Sequence, residues 1–493
     1  MTDPDPSAPT TGGEPHRMTA RESPRMTARQ AIALVSGADG FTEHRPPVRP
    51  LPADGPLGWE GYDAARERAA ARTGEEESVV YGIGSVGGRE CVLLSFEFGF
   101  LGGSLGRLTG DRLEAAYALA LTRRLPFVAL VATGGSRMQE GMVALVQLQR
   151  VAAASVRLRA AGLPQIAVVR DPTTGGGWAT VGAGADVVLA LPRAQVAFAG
   201  SRVRPPDADP YAYSAEGQSA AGQVDAVVPP EELAGTLAHW LRALGPHGAL
   251  PAAPVPDALS SPDALPTGGS GAARGLSANG LPASGLPARG LPASGREAVA
   301  RARSAERPRA EAYLAAYAPV RLPLNGDRCG GTDPGLLCGF GLRADGRPVA
   351  YVAQCGTPTR PAGYRTAART IRLADRLGVP VLTLVDTPGA ANDAEAERAG
   401  AGAAIADVFA AVAAARVPVT TLVIGEGGSG GALALAAPDN THITADGYFS
   451  VIAPEAATAI LKRAPSETAA TADQLRLRPQ DLLDLGVVRS IVG

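Results

Sequence analysis

Lysine is almost missing from this chain: of 46 basic residues one, Lys462, is lysine. A Schiff-base nucleophile or a phosphate-loop lysine is thereby nearly excluded. Cysteine is scarce too. Cys91, Cys329, Cys338 and Cys355 are scattered, with no C-x-x-C pair and no His/Cys cluster to hold zinc or frame disulfides. No apolar run reaches the roughly 18 residues that cross a bilayer, and the first residues have neither the basic start nor the apolar stretch of a signal peptide. No membrane association and a cytoplasmic location are expected. Excess charge is lacking as well: the formal net charge is −2 and it is dispersed, which leaves no electrostatic footprint for a nucleic acid.

What is present is glycine, and length. The 493 residues exceed the usual size of one domain. Residues 1–60 are rich in Pro, Thr, Asp and Gly and read as a disordered tail. Residues 249–297 carry GLSANGLPASGLPARGLPASG, a five-residue rhythm too rich in Pro and Gly for a core, and read as a flexible linker. Two blocks of similar size remain, 61–248 and 298–493.

The blocks are related. An offset of 254 positions sets LALTRRLPFVALVATGGS (119–136) on LADRLGVPVLTLVDTPGA (373–390), and the same offset sets LPQIAVVRDPTTGGGWA (163–179) on VPVTTLVIGEGGSGGAL (417–433). Two matches at one offset argue for two copies of one fold. Each copy reads as a helix (111–123; 364–377), a buried strand (126–132; 380–386), a glycine turn, a longer helix (138–161; 394–415), then a second strand and glycine turn, an α/β pattern. Glycine turns between strand and helix bring backbone N–H groups together at the positive end of the helix dipole, a site for developing negative charge.

The stretch VTTLVIGEGGSGGALA (419–434) also matches two familiar motifs. As G-x-G-x-x-G, Gly425, Gly427 and Gly430 make a dinucleotide fingerprint, but Pro438 cuts the following helix short and Asp446 is an indifferent ribose acid. As G-x-S-x-G, Gly427, Ser429 and Gly431 make a nucleophile elbow, but His442 is the one histidine near Ser429 in sequence, and the rest lie in the tail or near the linker. Without a metal cluster, a triad or a catalytic lysine, an enzyme here works through backbone dipoles and positioning.

In the first block, FEFGFLGGSLG (96–106), ATGGSRMQEG (132–141), DPTTGGGWA (171–179) and VAFAGSRV (196–203) closely resemble the beta subunit of the bacterial acetyl-CoA carboxylase carboxyltransferase. In the second, LNGDR (324–328), GYRTAART (363–370), LVDTPGA (384–390), VIGEGGSGGALAL (423–435), YFSVIAPE (448–455) and LLDLGVV (482–488) resemble its alpha subunit. The resemblance implies a beta-alpha fusion of two tandem crotonase-like (ClpP/crotonase) domains with a ββα superhelix, the active site lying between an N-domain and a C-domain, usually across a dimer or larger homo-oligomer.

It further implies a biotin-dependent transferase that moves a carboxyl group from carboxybiotin, on a biotin carboxyl carrier protein, to acetyl-CoA to give malonyl-CoA. ATP is consumed by a partner biotin carboxylase. Two oxyanions then need stabilising. By resemblance Gly134 and Gly135 offer N–H groups to the acyl carbonyl with Gly176 and Gly177 completing the CoA side, while Gly430, Gly431 and Ala432 hold the biotin carbonyl, each donor contributing on the order of 3 kcal/mol. Gly389 lies on the substrate side, and Arg137, Arg328 and Arg365 meet CoA phosphates or make structural ion pairs. Glu140 and Glu426 read as first-turn charges. The chain departs from the pattern twice. The beta subunit's C-x-x-C zinc ribbon is missing, so no zinc is expected, and the alpha-type DTPGAYPG runs Asp386-Thr-Pro-Gly-Ala-Ala-Asn-Asp393. The alternatives kept open are another acyl-CoA substrate, a decarboxylase, or an inactive scaffold that binds CoA or a carrier.

Overall fold

A computed structural model describes residues 25–47, 49–259, 275–277 (backbone only) and 290–493. The first half builds β1 Phe41–His44, β2 Val79–Val86, β3 Arg89–Phe96, β4 Phe127–Thr133, β5 Gln165–Thr174, β6 Val187–Ala190, β7 Val196–Ala197 and β8 Ala226–Val227. Their order is β1-β2-β3-β4-β5-β6-β8, with β7 on the far end of β5. The second half builds β9 Gly275–Ser277, β10 Val320–Pro323, β11 Leu336–Leu342, β12 Pro348–Gln354, β13 Val381–Thr387, β14 Val419–Gly428, β15 Thr441–Thr444, β16 Tyr448–Ser450 and β17 Ser490–Val492. Their order is β10-β11-β12-β13-β14-β15-β17-β9, with β16 on the far end of β14. In both halves an antiparallel pair leads into parallel strands joined by helices, as strand-helix alternation requires.

The duplication holds to the residue. Helix Arg107–Arg123 and helix Pro361–Leu377, β4 and β13, helix Gln147–Ala160 and helix Ala401–Ala414, β5 and β14, β6 and β15 all have boundaries 254 positions apart. Even an irregularity is copied: the β4–β5 register shifts between Val131 and Thr133, and the β13–β14 register between Val385 and Thr387. The longer helices expected over 138–161 and 394–415 are each broken. Gly141 (φ 50°) and Gly400 (φ 80°) take left-handed backbone that a continuing helix cannot hold.

Two expectations are corrected. The tail expected over 1–60 contains helix Ala28–Ser36, capped by a reciprocal Thr27–Gln30 box and burying Ala28, Ala31, Ile32 and Val35, the i, i+3, i+4, i+7 face of an amphipathic helix. Strand β1 follows and pairs with β2, Phe41 opposite Gly84. The linker expected over 249–297 is shorter than that. Ala253 is buried and its carbonyl accepts from Thr420 Oγ1 at 2.8 Å, while Ser294 caps helix Gly295–Arg303. Apart from the β9 backbone, which pairs with β17, its centre lies outside the described residues.

The halves share one core. Helix Pro230–Leu244 closes the first half and buries Leu233, Leu237, Trp240, Leu241 and Leu244. These join Leu336, Phe340 and Leu342 of the second sheet in a continuous apolar cluster, with the Trp240 and Phe340 rings 6.2 Å apart.

Candidate active site

Each half presents the same glycine architecture where two parallel strands end. In the first, Thr133 closes β4 and its Oγ1 accepts from Gly135 N–H at 3.1 Å. In the second, Thr387 closes β13 and accepts from Gly389 N–H at 3.1 Å. Gly135 (φ 105°) and Gly389 (φ 140°) both require backbone that side chains disfavour. The turn carbonyls are held alike, Leu105 N–H donating to Gly135 O at 2.8 Å and Thr359 N–H to Gly389 O at 3.1 Å.

The neighbouring strand then turns into a helix. Gly175–Gly177 follows β5 and Ser429–Leu433 follows β14. Gly175 (φ 64°) and its counterpart Ser429 (φ 58°) both sit at the left-handed corner. A Cβ on Gly177 would lie 2.4 Å from Thr133 Cγ2, and one on Gly431 would lie 2.5 Å from Ala390 N and from the Tyr364 hydroxyl. Gly177 and Gly431 therefore bring first-turn backbone close against a strand end where a side chain would not fit, with Gly176 and Gly430 preceding them in the same turns.

The two expected acyl donors differ from this. Gly134 N–H is spent on Gly102 O at 2.9 Å and Gly135 N–H on Thr133, so the expectation that these two N–H groups serve the acyl carbonyl is corrected: they brace the loop. The turn borders a cleft of about 740 Å³ lined by the first half alone, including Phe98, Leu101, Gly135, Gly175 and Phe198.

The expected arginines are held within the chain. Arg137 has no exposed side-chain surface and pairs with Glu77 at 2.5 Å, while also donating to Tyr62 Oη and Ser104 O. Burial works against both charges, but their mutual attraction outweighs it and holds the Glu77 carboxyl below its usual range. A CoA phosphate cannot reach such a group. Arg328 bonds Asp225 at 2.5 Å and the Gln223 carbonyl, and burial lowers its pKa to about 10. Arg365 pairs with Asp327 at 2.7 Å and donates to Ala399 O. Glu140 is buried and accepts from Tyr62 Oη at 2.5 Å and Arg107 N–H at 2.6 Å. Glu426 meets Arg303 at 2.8 Å. The elbow reading also loses its base, because His442 Nδ1 lies 2.7 Å from Ser490 Oγ and Nε2 3.2 Å from Asn440 Oδ1.

Sequence reasoning missed Tyr62 and Glu77 under the first site and Gln354 and Tyr364 under the second. Tyr364 lies within the quoted GYRTAART, whereas the others belong to no motif.

The family model for the carboxyl transferase domain matches residues 57–226, and the acetyl co-enzyme A carboxylase carboxyltransferase-like model matches 293–493. The acetyl-coenzyme A carboxylase carboxyl transferase subunits beta/alpha of Saccharopolyspora erythraea is 36% identical over 484 residues, covering 95% of this chain and 80% of that one.

The chain belongs to the acetyl-CoA carboxylase carboxyltransferase family.

Within this family the two halves are the beta-like and alpha-like parts, in that order. A probable biotin-dependent acyl-coenzyme A carboxylase beta3 subunit of Mycobacterium bovis is 33% identical over 446 residues, covering 87% of this chain and 82% of its own. The fold is that of a transcarboxylase 12S hexamer crystallised with methylmalonyl-coenzyme A, at a TM-score of 0.74 and 21% identity over 95% of this chain and 86% of that one. The carboxyltransferase thus consists of two tandem crotonase-like domains.

Proposed function

We propose that this carboxyltransferase moves the carboxyl group between carboxybiotin, presented by a separate carrier protein and charged by a partner carboxylase, and acetyl-CoA, giving malonyl-CoA. The observation that carries this is the copied glycine turn. Carboxyl transfer to a thioester develops negative charge on two oxygens, the thioester oxygen and the biotin ureido oxygen, and the chain has two backbone-donor sites of one design. Gly176 and Gly177 N–H groups serve the acyl side. Gly430, Gly431 and Ala432 serve the biotin side. Because the cleft beside Gly175 is lined by the first half alone, a second copy brings the alpha-like glycines to it, which makes the working form a homo-oligomer. Met138, Met142, Leu145 and Val146, exposed apolar residues just after that turn, suit such a contact.

A second reading changes only the acyl group. Ala391, Asn392 and Asp393 replace the aromatic residue, the proline and the second glycine of the alpha-type loop, and Asp393 is committed to capping helix Ala394–Arg398 and to Arg360, so a wall of different shape could admit a longer acyl chain.

The test is a reverse assay with malonyl-CoA and biocytin, following acetyl-CoA. Wild type and Ser429→Ala are expected to turn over, and Gly431→Val to fall by about 100-fold or more, the scale of a lost oxyanion donor. Comparable loss in the serine variant would restore the nucleophile reading. No turnover by a folded chain that binds CoA would point to another acyl-CoA or to a scaffold.

A further inference from the structure

The carbonyl of Gly431 is passed over by its own helix. Ala434 N–H donates to Gly430 O at 3.0 Å, Leu435 N–H to Ala432 O at 3.2 Å and Ala436 N–H to Leu433 O at 3.0 Å. Among the described residues no backbone donor serves Gly431 O. Two buried side chains do so instead, Tyr364 Oη at 3.0 Å and Gln354 Nε2 at 3.2 Å. A carbonyl only accepts, so it is the amide nitrogen of Gln354 that must face it. That nitrogen also donates to Thr359 Oγ1 at 3.1 Å. The price of this orientation is visible: Gln354 is fully buried and its Oε1 has no partner among the described residues. Tyr364 is buried as well, and desolvation raises its pKa, which keeps the phenol protonated as a donor.

In a trans peptide the carbonyl and the next N–H point in opposite directions. Drawing Gly431 O toward Gln354 and Tyr364 therefore aims Ala432 N–H away from them. Among the described residues the first half has no equivalent device. Ser95 lies opposite Leu130 and Ala353 opposite Leu384, which makes Phe96 the counterpart of Gln354. The 254 offset between helices Arg107–Arg123 and Pro361–Leu377 makes Gly110 the counterpart of Tyr364. Neither side chain can donate to Gly177.

We propose that Gln354 and Tyr364 are positioning residues that lock the Gly431–Ala432 peptide unit, so that the alpha-like donor is preset by side chains while the beta-like one is not. The inference rests on the reading that Ala432 N–H meets the biotin carbonyl. It is tested with Tyr364→Phe and Gln354→Leu in the full chain, measuring kcat, KM for malonyl-CoA, KM for biocytin and the melting temperature. Each variant is expected to lower kcat about tenfold, the scale of one lost neutral hydrogen bond, and to leave KM for malonyl-CoA unchanged, because the acyl donors lie in the other half. A raised KM for malonyl-CoA, or a lower melting temperature with unchanged kcat, assigns a merely structural role and overturns the proposal. Full activity in both variants of an active wild type overturns this inference alone. An inactive wild type overturns the proposed acetyl-CoA reaction instead, and with it the reading on which this inference rests.

Discussion

Gly177 and Gly431 are glycine for one reason: a methyl group at either would strike the neighbouring strand end, 2.4 Å from Thr133 Cγ2 in one half and 2.5 Å from Ala390 N in the other. Such approach is a property of backbone and is written into the local sequence, which is why both turns were legible from a glycine pair repeated at one offset. What a donor or a cation is bonded to is written elsewhere. Gly134 N–H is spent on Gly102, 32 positions away by number, and Arg137 on Glu77, so assigning those residues to ligand from motifs alone fails. His442 gives a residue-scale prediction. Burial, reinforced by the Arg489 charge, lowers its pKa from 6.5 to about 4. The folded imidazole stays neutral where the unfolded one takes a proton, so this stability is present above pH 6.5 and is lost as pH falls toward 4. The melting temperature of wild type should drop between pH 7 and pH 5 more than that of His442→Gln; parallel curves would show that another group governs the loss.

At the scale of elements, helix Ala28–Ser36 is the clearest departure from the sequence reading. Its apolar spacing and its Thr27–Gln30 box were both there to be read, but nine residues between Pro-rich flanks are too few to stand out against a tail of that composition. Its hold on the domain comes from tertiary contact: Ala28 N–H donates to Glu97 at 2.7 Å, and Arg170 reaches back to Met26 O at 3.0 Å. Ile32→Ala, which opens a cavity under this helix, should cost about 3 kcal/mol in urea unfolding. A substitution without effect would mean that the segment is dispensable to the fold. The paired helices, in contrast, were visible from the offset that sets one on the other; both end on left-handed backbone, and of the two residues there Gly378 is the type that signals such a stop while Arg124 is not.

At the scale of the whole molecule, the seam between the halves could not be read from sequence, because it joins residues more than 100 positions apart. Asp225 is buried on the first half and takes Arg328 at 2.5 Å and Arg369 at 3.1 Å from the second. Asp186 of the first half meets Arg376 of the second at 2.7 Å. Asp225→Ala would strand two partly buried arginines and should cost about 3–5 kcal/mol, read as a lower urea midpoint; an unchanged midpoint would show that the apolar cluster around Trp240 and Phe340 carries the seam unaided. The signs of these charges have a further consequence. Two near-copies of one fold have, in principle, the option of pairing like with like. A first half facing another first half would leave Asp186 and Asp225 without the arginines of the second, and a second facing a second would leave Arg328, Arg369 and Arg376 without those aspartates. The ion pairs thus act as a mating rule as much as an adhesive: charges left without their partners disfavour the like half that duplication alone would have made equally attractive.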